Sequence, residues 1–348
     1  MMGTKWFSLL VLLSSTFSGV VLAAEATGTG SMIPGPLIKV WADGYSMHSP
    51  SSVIKYKGSN PADGIKSLVN NEVDFSGIDM PLNINALKKN GLLQFPFALG
   101  GIAPAVNLPG VYPGQLKLDG KLLGDILLGN ITKWNDPAIV ELNPQIKLPD
   151  AGIIIVHRVS PPNISTIIGD YLAKTHPQWK SIKGDGMAGT WPASAIEVKD
   201  PIENMAAIKK NLYTIGYAPI PHIMKNGLSY VQMKNRDGKF ISPSDENISA
   251  AAENAKWDQT NGLDVVLTDQ PGPSSWPLSM ASFALIHQVS QKPERTRETL
   301  KYFKYSLRYG GLKAVQYDYI PLPESVRSIV RDSWKAIVDD KGVPVYKD

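Results

Sequence analysis

The chain contains no cysteine. That excludes a disulfide framework, a thiol nucleophile and a lipid-modified cysteine behind a leader. An excess of either charge is also missing. The net charge is only +4, and lysines and arginines are mixed with acids, as in Lys292-Pro293-Glu294-Arg295-Thr296-Arg297-Glu298. Such a run reads as a solvated helix face, and no basic stripe for nucleic acid is present. The five histidines (His48, His157, His176, His222 and His287) are too dispersed for a metal cluster by spacing and read as surface or structural residues. No G-x-S-x-G elbow, H-E-x-x-H helix or G-x-x-x-x-G-K-[ST] loop occurs, so neither an enzyme nor a resident cofactor has positive support.

Long apolar runs are confined to the opening. Lys5 supplies a positive start, Trp6–Leu13 begins an apolar stretch, and Val21-Leu22-Ala23-Ala24 offers small residues for cleavage. Ser14, Ser15, Thr16 and Ser18 interrupt that stretch, which makes it a poor anchor. Residues 1–24 are therefore expected to be a cleaved signal peptide, and a soluble protein free in a Gram-negative periplasm is the expected product. The remaining length exceeds what one core usually holds, so two domains are expected.

Short β-type runs alternate with helical ones, the mark of an α/β fold. Val53–Tyr56 reads as a strand, followed by a helix over about 61–71 with Ile65, Leu68 and Val69 on one face. Ile153–Val156 is a continuous apolar run suited to a parallel strand buried on both faces. A helix over about 163–174 follows, its stripe made by Ile164, Ile167, Ile168, Tyr171 and Leu172. Ser279–Ile286 reads as another strand, and a helix over Pro293–Tyr309 stops at Gly310-Gly311.

Three turns lead into helices with small residues in front of them. These are Gly28–Pro36, Gly58–Gly64 and His157–Asn163. Free backbone N–H groups and the helix dipole both favour an anion at such places. With the blocks Val73–Leu82, Leu92–Pro96, Leu123–Asp136, Ile215–Tyr217 and Trp276–Leu278 beside them, in this order, the chain resembles the periplasmic phosphate-binding protein family, PstS. The resemblance runs over nearly all of the mature chain. It implies a two-lobed type II solute-binding protein with two crossover hinge segments. Lobe one would comprise residues 25–99 and 280–348, and lobe two residues 100–279, with crossings near Leu99-Gly100-Gly101 and Leu278-Ser279. The implied function is capture of an anion between the lobes and delivery to the permease and ATPase subunits of an ABC importer.

Against the family's ligand pattern, only Asp79 and Arg158 stand at matching positions. Met32 and Ile33 replace Thr-Phe, Pro61 stands at a ligand serine, and Pro161, Pro162, Asn163 and Ile164 replace the Gly-Ser-Gly-Thr type of loop. A later glycine-rich loop reads Val198–Asn204. Hydroxyl donors are lost, and Pro61, Pro161 and Pro162 also lack the backbone N–H. Hydrogen bonds to a charged group contribute roughly 1.5–3 kcal/mol each, so four missing ones amount to about 6 kcal/mol, on the order of 10⁴-fold in affinity. The expectation is a degenerate phosphate site in which Asp79 and Arg158 are the retained ligand residues by motif match, or else pair with each other across the cleft as a structural bridge. The alternative to a phosphate receptor is a scaffold of the same shape that has lost phosphate and binds another solute or a protein partner.

Overall fold

The computed structural model describes residues 24–159, 164–184, 187 and 189–346. The expected signal peptide, apart from Ala24, lies outside the described residues, as do Pro161, Pro162 and Asn163. In chain order the strands used below are β1 (Ala24–Ser31), β2 (Ser52–Ser59), β3 (Phe75–Ile78) and β4 (Leu92–Asn107). They continue with β5 (Lys117–Leu118), β6 (Ile154–Arg158), β7 (Ile196–Val198) and β8 (Thr214–Pro219). The last are β9 (Ser229–Tyr230), β10 (Gln232–Lys234), β11 (Phe240–Ile241) and β12 (Ser279–His287).

Nine of the described strands form one sheet in the order β2-β1-β3-β12-β4-β8-β6-β7, with β9 pairing on β4. Its two ends are parallel blocks: β1 with β2 and β3, and β6 with β7 and β8. The antiparallel strands β12 and β4 join them. The apolar run at 153–156 becomes β6, inside the second parallel block, as a strand buried on both faces should be.

β4 serves both blocks. Its stretch Leu92–Gly101 pairs with β12, and Ile102–Asn107 pairs with β8. Pro96 and Pro104 sit inside it, where a proline usually argues against a strand. Pro96 falls where the β12 register shifts between Ser282 and Phe283, so no regular ladder bond is demanded of it. A third segment touches the crossing, because Leu99 and Ile320 exchange backbone hydrogen bonds of 2.8 and 2.9 Å.

The helices carry the faces that bury the sheet. The first, Gly35–His48, buries Leu37, Ile38, Trp41, Ala42 and Tyr45. The helix expected over about 61–71 closes at Val69, because Asn70 caps it and Asn71 turns left-handed at φ 59°. The helix Ile164–Thr175 buries the expected isoleucine stripe. In the core under β1, β3 and β4, Phe303 meets Phe75 and Phe95 edge-on at 5.5 and 5.1 Å.

The charged opening of the helix Pro293–Tyr309 is not a solvated face throughout, which corrects the expectation. Arg295 donates to both carboxylate oxygens of Asp74 at 2.8 and 2.7 Å. Glu298 is 4% exposed and accepts from the Tyr45 hydroxyl at 2.7 Å. A helix turns through a quarter of a circle or more per residue, so a mixed run of charges samples the inner face as well as the outer.

Candidate functional site

The parallel pairing of β1 with β3 sets Gly28–Gly30 beside Phe75–Gly77, so the two strands end together and deliver Ser31 next to Asp79. The backbones touch here. Gly30 has φ +122°, and a Cβ on it would stand 2.3 Å from the Gly77 carbonyl oxygen. Only glycine fits.

Ser31 is the keystone of this corner. Its hydroxyl donates to Asp79 Oδ2 and accepts from the Ile33 backbone N–H at 3.1 Å. Two tyrosines hold the same loop by its carbonyls. Tyr56 donates to the Ser31 carbonyl at 2.8 Å, and Tyr319 donates to the Ile33 carbonyl. Asp79 is 6% exposed, and its Oδ1 is buried with no hydrogen-bond partner among the described residues. Burial pushes this carboxyl up to about 6, while the Ser31 hydrogen bond pulls the other way. Burial, with Asp79 nearby, also raises Tyr56 and Tyr319, so both remain neutral donors.

Arg158 lies at the end of β6, in the other parallel block, and is buried. Burial lowers its guanidinium from the usual arginine range, and Tyr217 and Asp200 offset that electrostatically. Tyr217 in turn shares a 3.1 Å hydrogen bond with Ser165. The expected Asp79–Arg158 bridge is absent. One Asp79 oxygen goes to Ser31 and the other to no described residue. The carboxylate and the guanidinium sit at strand ends of different blocks, each held by its own neighbours.

The substituted positions do not share one fate. Met32 is 67% exposed, while Ile33 is half-buried and packs on the core. Ile164 is 3% exposed at the start of its helix, within the core cluster. Pro61 is the first residue of the helix Pro61–Val69, whose Asn60 cap accepts from the Ala62 N–H at 2.9 Å. Pro162 and Asn163 lie outside the described residues.

The helix Pro201–Lys210, reached through the stretch Val198–Asn204, is capped in the same way. Asp200 accepts from Ile202 and Glu203 at 2.8 and 2.9 Å, and Glu203 accepts from the Lys199 N–H at 2.8 Å. Both helix starts therefore spend donors on their own side chains that an anion would otherwise use. A hollow of 580 Å³ beside Gly110, Lys117, Lys147 and Gln232 lies by the small sheet β11-β10-β5, away from these strand ends.

Reading the residues alone misses Ser31, Tyr56, Tyr319 and Asp200. Ser31 had a signal, a hydroxyl one place before Met32 in the same loop. Tyr319 had none, since it reaches Ile33 from 286 residues away.

A family model described as a PBP superfamily domain matches residues 21–308. The phosphate-binding protein PstS of Pasteurella multocida is 38% identical over 336 residues, covering 96% of this chain and 97% of that protein. The PstS of Haemophilus influenzae is 36% identical, covering 90% of this chain and 93% of its own length. Among solved structures, an ABC-type phosphate transport receptor from Vibrio cholerae matches with TM-score 0.57 at 19% identity, covering 86% of this chain and all of that one. A high-affinity periplasmic phosphate-binding protein, PfluDING, solved with phosphate bound, matches with TM-score 0.65 at 17% identity, covering 89% and 94%. These structures share the two-lobed α/β fold.

Proposed function

This chain belongs to the PstS family of phosphate-binding proteins, and from that premise we propose that it captures inorganic phosphate in the periplasm and hands it to the permease and ATPase subunits of an ABC importer. The site is the cleft between lobe one, residues 25–99 and 280–348, and lobe two, residues 100–279. Asp79 serves as acceptor on one side and Arg158 as cation on the other. Residues 1–24 act as the cleaved export signal, and among the described residues no helix is long and apolar enough to cross a membrane. The relatives are named as binding proteins, and the same role is assigned here in preference to catalysis.

One observation carries this reading. Asp79 is a buried carboxylate whose Oδ1 lacks a partner among the described residues, while Ser31 holds Oδ2. A buried charged acceptor without a donor is costly, and a ligand bearing a P–OH supplies the donor. A fully ionised oxyanion has no proton to give and is repelled. Arg158 offsets the ligand's charge from the other lobe, so the closed state gains affinity that the open state lacks, which closure requires. Names of relatives identical at 36–38% favour this receptor over a scaffold that has lost phosphate.

The test is a calorimetric titration of the mature protein, freed of ligand by unfolding and refolding. Heat saturating in the micromolar range, abolished in Asp79→Ala and in Arg158→Ala, is the expected result. Silence up to millimolar phosphate rejects the proposal.

A further inference from the structure

A cavity of 230 Å³ lies against the crossing, next to Gly101. Ile220, Pro221, Pro243, Ser244 and Ile248 line it together with Val315 and Ile320. Tyr319 joins the two spaces. It lines the cavity, while its hydroxyl reaches the Ile33 carbonyl of the ligand loop. Tyr319 is thus shared by the anion corner and the cavity.

Among the described residues, the backbone donors at the head of the site are largely spent. Ala62, Ile202 and Glu203 give their N–H groups to Asn60 and Asp200, Ile33 gives its own to Ser31, and Pro34, Pro36 and Pro61 have none to give. A tetrahedral anion with four oxygens needs donors on every side. One with a carbon-bearing substituent on its fourth corner needs fewer, and it still keeps a P–OH for Asp79 Oδ1.

We propose that the cleft takes a singly substituted phosphoryl group, a short alkyl phosphonate or phosphate monoester, with its head at Asp79 and Arg158 and its tail in the cavity beside Tyr319. This rests on the phosphate-receptor reading and extends its ligand class. The space equals roughly eight water volumes, enough for a tail of a few carbons. Charge at the cavity narrows the class further. Asp245 and Asp318 both line it, and Asp318 is already paired with Lys225. The tail is therefore neutral or cationic, and one ending in a carboxylate is repelled.

The experiment titrates the mature protein with inorganic phosphate, with methyl-, ethyl- and propylphosphonate, and with 3-phosphonopropionate. Affinity is expected to rise about fourfold per added methylene, the value of burying one such group, and to fall for the carboxylate tail. Val315→Trp, at a half-exposed wall position, is expected to abolish the chain-length gain while leaving phosphate affinity unchanged. Phosphate binding with no binding of the alkyl phosphonates, or with no gain from methyl to propyl, overturns the proposal and leaves the receptor reading intact. A chain-length gain that survives Val315→Trp overturns the placement of the tail. Silence toward phosphate and phosphonates alike overturns both readings together.

Discussion

Asp79 separates what is good for folding from what is good for binding. Its carboxyl is lifted from the ordinary range to about 6 by burial. Between about pH 4 and 6 the folded state therefore holds a proton that the unfolded chain has released, and stability falls as pH rises through that window. At neutral pH the ionised Asp79 costs the ligand-free protein up to about 3 kcal/mol, taking 1.36 kcal/mol per unit. Asp79→Asn is expected to stabilise the phosphate-free protein at pH 7 and to make no difference below about pH 4. The same substitution removes a charged acceptor and should weaken phosphate binding by roughly 10- to 100-fold. Denaturant unfolding at the two pH values, with phosphate titrations beside it, checks both signs. Loss of stability at pH 7 would mean that the carboxylate has a partner that compensates its charge. At this scale the sequence was half legible. Asp79 and Arg158 stand out in it, but the hydroxyl that orients Asp79 stands one residue from the substituted position, and Tyr319 arrives through tertiary structure alone.

Periodicity was a better guide to the elements than to their ends. The strands at 53–56, 153–156 and 279–286 and the helices after Pro61, Asn163 and Lys292 are all present, because apolar spacing reports directly on a buried face. What it could not show was β4 as one strand, since Pro96, Gly100, Gly101 and Pro104 each argue locally for a break. Register against β12 and β8 overrides them. Nor could it show that Asn60 has turned a candidate anion-binding helix start into a self-capped one. Asn60→Ala tests that change. Loss of an N-cap should cost about 1 kcal/mol, a fall of roughly 1–2 °C in Tm for a chain of this length, with phosphate affinity unchanged within about twofold. A loss of tenfold or more in affinity would show that Asn60, or the N–H it covers, meets the ligand.

For the whole molecule, the two halves of the sheet are joined by few connections, and the place where β4 passes between them bears on both closure and stability. Sequence reading expects a crossing near Leu99-Gly100-Gly101 and treats the two glycines as equivalent. The packing distinguishes them. A Cβ on Gly100 would sit 3.5 Å from Met280, an ordinary contact, whereas a Cβ on Gly101 would stand 2.4 Å from Ile248 and 2.5 Å from Ile220. Gly101 lies where β4 changes partner from β12 to β8, so a side chain there wedges apart the elements that meet at the crossing. Gly100→Ala is therefore expected to leave stability within about 0.5 kcal/mol of the parent and to preserve compaction on adding phosphate. Gly101→Val should cost about 1–3 kcal/mol through overpacking, and the wedge should hold the lobes apart. Its radius of gyration by X-ray scattering would then stay at the ligand-free value when phosphate is added. Equal behaviour of the two variants would mean that Ile220 and Ile248 yield freely, and that the crossing is looser than its contacts indicate.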